Sequence, residues 1–183
     1  SDQYTYKNGT SIQTGSSSAN PIQRSLQSRL DDFVNVKSFG ANGDGTDQTL
    51  ALQRAIDQLY LPWSGASDAD SLKKRVTLKL DAGLYKINDS LKVPPYVNLV
   101  GDGSDKTVIE QTGAFAVIET INGNGINAQT SSTNQTNIIR LQGMTLKSYL
   151  TNPALKLSST KDSQFVDIKL QGPWTQGSAI NAT

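Results

Sequence analysis

Leu52, Ala55, Ile56 and Leu59 fall at i, i+3, i+4 and i+7, a spacing that gathers apolar side chains on one face of a helix. The stripe predicts a helix over 48–60, with Asp47 as its N-cap and Pro62 beyond its end. Downstream the period changes. Val76-Leu78-Leu80 alternates apolar with polar positions, and short apolar or alternating runs recur at 84–87, 91–93, 97–100, 108–110, 115–120, 138–146, 154–157, 165–170 and 179–180. Turn-forming residues punctuate these runs, so each predicts a strand; a polar loop is expected over 122–137. Upstream, 34–36 reads as one more strand, leading into a turn over 40–45 where Gly40, Gly43 and Gly45 permit positive φ. Ile22, Leu26 and Leu30 recur every four residues, which suits a short helix or an extended connector over 21–32. Residues 1–20 offer only Tyr4, Tyr6, Ile12 and Ala19 as apolar groups. Such a stretch buries too little to offset its ordering entropy unless it lies against something else.

The strand region repeats. Val97-x-Leu99-x-Gly101, Ile139-x-Leu141-x-Gly143 and Ile168-x-Leu170-x-Gly172 share one pattern, 42 and then 29 residues apart, and the polar loop accounts for the longer interval. Ala154-Leu155 is echoed by Ala179-Ile180, 25 residues on. Periods of this size belong to solenoids, whose turns bury their apolar faces only by stacking on their neighbours. Short strands without intervening helices point to a parallel β-helix.

Composition narrows the chemistry. The 183 residues include no His and no Cys, which excludes a Ser-His-Asp triad, a Cys-His pair, a His or Cys zinc site and any disulfide. Seventeen Lys+Arg against sixteen Asp+Glu leave a net charge of +1, so no global basic surface draws nucleic acid. No apolar run approaches the ~20 residues of a membrane span, and no membrane insertion is expected. Of the acids, fourteen are Asp and only Glu110 and Glu119 are Glu. With abundant Ser, Thr, Asn, Gln and Gly, this bias favours turns and strands over helix.

The segment 30–57, LDDFVNVKSFGANGDGTDQTLALQRAID, followed by the strand at 76–81 and Gly83-Leu84-Tyr85, resembles the opening of the pectate-lyase-like family of right-handed parallel β-helix proteins. The stretch 25–40, SLQSRLDDFVNVKSFG, is similar to the junction between leader and β-helix in bacteriophage tailspikes and tail fibres. Gln48 stands where the family often carries a second acidic residue before the helix. The resemblance implies a mainly β fold, a right-handed parallel β-helix (solenoid) with an amphipathic capping helix. Residues 1–30 form an extended virion-anchoring leader and 31–183 the cap and first coils. The end within a strand is expected to mark a piece of a longer protein. It further implies a homotrimer on a phage virion, with other tail or baseplate proteins held through the leader and a host surface polysaccharide as the recognised partner. The alternative is a polysaccharide lyase or glycoside hydrolase, on a phage tail or secreted, with its active site in later coils.

Site residues follow from both readings. Tyr4, Tyr6, Ile12, Ile22 and Leu26 are the virion-anchoring candidates. Leu52, Ala55, Ile56 and Leu59 form the core of the cap helix. Trp63 and Trp174, each beside a proline, are candidates for carbohydrate or subunit contact. Tyr60, Tyr96 and Tyr149 are further rings able to stack on sugars, whereas Tyr85 alternates with core positions and reads as packing. Asp102 with Asp105, Glu110 with Glu119, and Asp162 with Asp167 are the carboxylate pairs available for acid–base chemistry. Each reads better as a turn or exposed strand residue, so no catalytic residue is assigned. The run Gly101-Asp102-Gly103-Ser104-Asp105-Lys106-Thr107 lacks the Gly-Lys step of a phosphate loop. Asn42-x-Asp44-x-Thr46 has Gln53 where a calcium loop needs Glu. No metal site and no cofactor are expected.

Overall fold

The computed structural model describes residues 3–4, 24–30, 32–60, 76–121, 138–158, 160–174 and 178–183. The chain divides into two compact units, Ser1–Val34 and Asn35–Thr183. In the first, β1 (Gln3–Tyr4) pairs antiparallel with β2 (Arg24–Ser25), Tyr4 opposite Arg24, and α1 (Leu26–Leu30) follows at once. Ser25 Oγ accepts the Ser28 N–H at 3.1 Å and so caps this short turn of helix. Arg24 binds Asp32 at 2.6 Å and Arg29 binds it at 2.8 Å. Arg24 above all, then Arg29, holds the Asp32 carboxyl down at about 2. Leu26, Leu30 and Phe33 remain exposed, with the Arg29 guanidinium 5.8 Å from the Phe33 ring centre. Tyr6, Ile12 and Ile22 lie outside the described residues.

The second unit coils. After β3 (Val34–Asn35) and a 3-10 turn (Val36–Phe39) come β4 (Asp44–Asp47), α2 (Thr49–Tyr60), β5 (Leu78–Lys79), β6 (Gly83–Ile87) and β7 (Leu91–Val93). Then β8 (Asn98–Val100), β9 (Thr107–Gln111) and β10 (Ile118–Thr120) make the next coil. β11 (Arg140–Lys147), β12 (Leu155–Leu157), β13 (Gln164–Gln171) and β14 (Ile180–Ala182) make the two that follow. Each strand pairs in parallel with the corresponding strand of the next coil: β7, β10, β12 and β14 form one sheet, and β4, β6, β9, β11, β8 and β5 lie along the other, with β13 on β11. This is a mainly β fold, a parallel β-helix.

Register explains the core. Leu78, Leu99 and Leu141 align in one inward column, Tyr85, Ile109 and Leu146 in a second, and Leu91, Ile118 and Leu155 in a third. All nine are buried. Period-2 alternation sends the intervening residues outward. Tyr85 is fully buried, in the interior position its alternation predicted, and its hydroxyl donates to Asp81 O at 2.9 Å.

α2 begins one residue later than its pattern suggests, and Asp47 Oδ1 accepts the Thr49 N–H at 3.1 Å. Leu52, Ala55 and Ile56 are buried, Leu59 is half-buried, and Tyr60 completes the inward face. Tyr60 donates its hydroxyl to Val76 O at 2.7 Å, and burial pushes its phenol up to about 12. The helix also closes a sheet edge. Gln53 Nε2 donates to Lys92 O and Gln53 Oε1 accepts the Lys92 N–H, both at 2.9 Å, so one amide side chain mimics a strand along β7.

Three expectations are corrected. The glycine-rich segment expected as a turn contains a strand: β4 pairs with β6 from Asp44 to Asp47, through a register shift between them. The strand expected over 34–36 stops at Asn35, whose Oδ1 caps the following 3-10 turn through the Lys37 N–H. The third repeat is out of phase. Ile168 and Leu170 pair with Met144 and Leu146, while Leu141 pairs with Phe165. β11 is one long strand bent at Gly143, which adopts φ +67°. It therefore carries two apolar pairs per coil, and the sequence pattern matched the wrong one.

Candidate functional site

The outer surface carries three kinds of row. On the second column, Lys86, Glu110 and Lys147 lie side by side in register; on the third, Lys92, Glu119 and Lys156 do the same. Both glutamates of the chain thus sit on one coil, each between two lysines. Lys147 Nζ reaches Glu110 at 2.9 Å and Lys156 Nζ reaches Glu119 at 2.8 Å. These acids tie coils together and are not poised as an acid–base couple.

The corner between the first and second columns holds aspartates. Asp81 accepts from Asn35 Nδ2 at 3.1 Å and pairs with Lys37 at 2.6 Å. Asp102 pairs with Lys79 and accepts the Ala82 N–H at 2.7 Å. The lysine partners hold both carboxyls below their ordinary range. Asp105 meets Lys169 at 3.1 Å, and Asp167 accepts the Ser104 N–H at 3.1 Å from a left-handed backbone of φ 50°. Asp102 and Asp105 are thus committed to different partners, Lys79 on the preceding coil and Lys169 two coils further on.

The third row differs in kind. Asn98, Arg140 and Gln164 align in register on the outer face of β8, β11 and β13, alternating with the inward Leu99 and Leu141. They line a groove of about 300 Å³ together with Tyr96, Ile138 and Asp162. Arg140 donates to Gln142 Oε1 at 3.1 Å, and Asn98 donates to Thr77 Oγ1 at 2.8 Å. Two rim residues hold left-handed backbones, Tyr96 at φ 71° and Asp162 at φ 49°. Such a conformation is unusual for a bulky residue and costs about 1–3 kcal/mol, a cost that recurs at binding and active sites. Tyr96 is kept there by its N–H, which donates to Ile138 O at 2.6 Å.

The lining offers a guanidinium, a carboxylate, two amides and a phenol ring, a set of donors and acceptors suited to hydroxyl groups. Asp162 is the one carboxylate among the described residues lining it. Among the described residues no group of three or more acidic side chains is placed to hold a metal, and no helix is long and apolar enough to cross a membrane. Tyr96 and Asp162 were singled out from the sequence, though Asp162 for a pairing with Asp167 that the groove does not use. Asn98, Arg140 and Gln164 were missed. Asn98 and Arg140 stood at the x positions of Val97-x-Leu99 and Ile139-x-Leu141, which face out wherever the flanking residues face in, whereas Gln164 lay outside the repeat because its third copy is out of phase.

Trp174 lies elsewhere. It is half-buried, and its indole N–H donates to Asn152 O at 3.0 Å, joining the corner at 148–153 to the one after β13. Tyr149 is 66% exposed on that first corner. Trp63 lies outside the described residues.

A family model described as rhamnogalacturonase A/epimerase, pectate lyase-like, matches residues 33–178. The chain belongs to this pectate-lyase-like family. Among curated proteins it is 37% identical over 84 residues to the mannuronan C5-epimerase AlgE2 of Azotobacter vinelandii, covering 42% of this chain and 7% of that protein. It is 29% identical over 94 residues to a glucan 1,3-beta-glucosidase of Cochliobolus carbonum, covering 48% of this chain and 10% of that one. The chain therefore spans a small fraction of the length of these relatives. Among solved structures, ORF18 of Geobacillus virus E2 superposes with a TM-score of 0.60 at 22% identity, over 78% of this chain and 26% of that one. This likeness is one of fold.

Proposed function

We propose that the chain is the virion-proximal part of a phage tailspike or tail fibre whose β-helix presents a surface to host polysaccharide. The observation that carries this reading is the Tyr96, Asn98, Arg140, Asp162 and Gln164 groove, whose donors and acceptors suit hydroxyl-rich ligands. A viral fold neighbour and relatives named for glucan and mannuronan support the same reading. The protein works as a homotrimer. Residues 1–30 order against sister subunits or another tail protein, and the exposed Leu26, Leu30 and Phe33 supply the apolar contact. Tyr4 and, outside the described residues, Tyr6, Ile12 and Ile22 extend that anchor.

The full protein, added in excess to host cells, is expected to block adsorption of the phage that carries it. Deleting residues 1–24 is expected to leave the β-helix folded and abolish incorporation into particles. If the purified protein leaves adsorption unchanged, the adhesion role fails. The enzymatic alternative, a lyase or hydrolase, draws on the activities for which the relatives are named. Release of reducing ends from isolated host polysaccharide by the full protein would favour it.

A further inference from the structure

We infer that the groove on β8, β11 and β13 is a subsite for an uncharged hexose unit of a polysaccharide. The inference rests on the polysaccharide-binding reading and sharpens it to a substrate class.

The charges lining the groove decide the class. Arg140 and Asp162 line the same space, one cationic and one anionic, with Asn98, Gln164 and Tyr96 as uncharged partners. One cation and one anion give the lining no net charge, so a uronate or an amino sugar gains at one of them what it loses at the other. A neutral pyranose meets no such conflict. Its vicinal hydroxyls donate to Asp162 and accept from Arg140, and the Gln164 amide both donates and accepts. Tyr96, 37% exposed, and the half-buried Ile138 offer a surface for the C–H face of the ring.

The backbone holds the site in place. Arg140 sits within a strand paired on both sides, to Asn98 and to Gln164, so the three side chains keep the spacing of adjacent strands, about 4.8 Å. The row runs from coil to coil, along the solenoid. Tyr96 and Asp162, each two residues before a member of the row and so on the same N-terminal side of it, hold left-handed backbones. Groups carried by rigid strands lose little freedom on binding.

The test uses the whole chain and two probes of equal length, a neutral β-glucan hexaose and an oligomannuronate, followed by saturation-transfer NMR and titration. The expected result is binding of the neutral hexaose in preference to the oligomannuronate. Arg140→Ala and Asp162→Asn are each expected to weaken it by about tenfold or more. Asn tolerates the left-handed backbone at 162, and both side chains are exposed, so both variants should melt with the wild type. Tyr149→Ala, on a different corner, leaves binding unchanged. Tighter binding of the oligomannuronate, no binding of the hexaose at millimolar concentration, or indifference to both groove variants overturns the assignment. If the protein still blocks phage adsorption while Arg140→Ala changes nothing, the subsite is wrong and the adhesion reading survives.

Discussion

A methyl group on Gly43 would lie 2.9 Å from Cζ of Tyr85, on a backbone already at φ +67°. The buried tyrosine and the glycine that makes room for it therefore act as one unit. Gly43→Ala is expected to cost about 1–3 kcal/mol, read as a lower melting temperature, because neither the ring nor the backbone can give way cheaply. Charge acts more gently at the corner. Lys37 and Lys79 lower the Asp81 and Asp102 carboxyls in the folded state. The stability these groups lend is complete above the ordinary carboxyl value of about 3.9 and is lost as pH falls through their lowered folded values. The melting temperature should be flat between about pH 7 and 5 and decline below about pH 4, and Lys79→Met should shrink that decline. The effect is small, since both pairs are largely solvated. A pH profile unchanged by the substitution would remove Asp102 from this account.

At the scale of elements, α2 is tied to the edge of β7 through Gln53 as well as through its apolar face. We propose that it caps the first coil. Leu52→Asp should then cost several kcal/mol, about 3–5, by burying a charge without a partner. Gln53→Leu should cost about 1–3 kcal/mol by leaving two edge groups of β7 unbonded. Retention of wild-type melting in both variants would make the helix an ornament. The helix and nearly all strands were legible in the sequence because one-sided burial writes its period directly into Leu52, Ala55 and Ile56, or into Leu78 and Leu80. The hidden parts follow no period. β4 consists of Asp, Gly and Thr and pairs only because β6 lies beside it. Register across the bend at Gly143 was illegible for the opposite reason, since two equally good apolar pairs compete for one pattern. The groove residues were visible only as positions that are not core, a description that fits every exposed side chain.

At the scale of the molecule, each strand finds its partner one coil away, whatever lies between the columns. Leu99 pairs with Leu141 and Ile118 with Leu155 across the stretch 122–137, in the same inward columns that Leu78 and Leu91 occupy one coil earlier. Residues 122–137 lie outside the described residues and read in the sequence as a polar loop; replacing them by a flexible segment of half their length should therefore leave the melting temperature almost unchanged, since halving a loop alters closure entropy by only about 0.6 kcal/mol. A large loss of stability would show that the stretch belongs to the core. The result bears on how such proteins diversify. A corner can be lengthened, shortened or exchanged by recombination while the stacked columns stay as they are, so the exterior is free to change without rebuilding the spine. Surface and architecture are then inherited as separable traits, and two relatives can share this solenoid while presenting different exteriors.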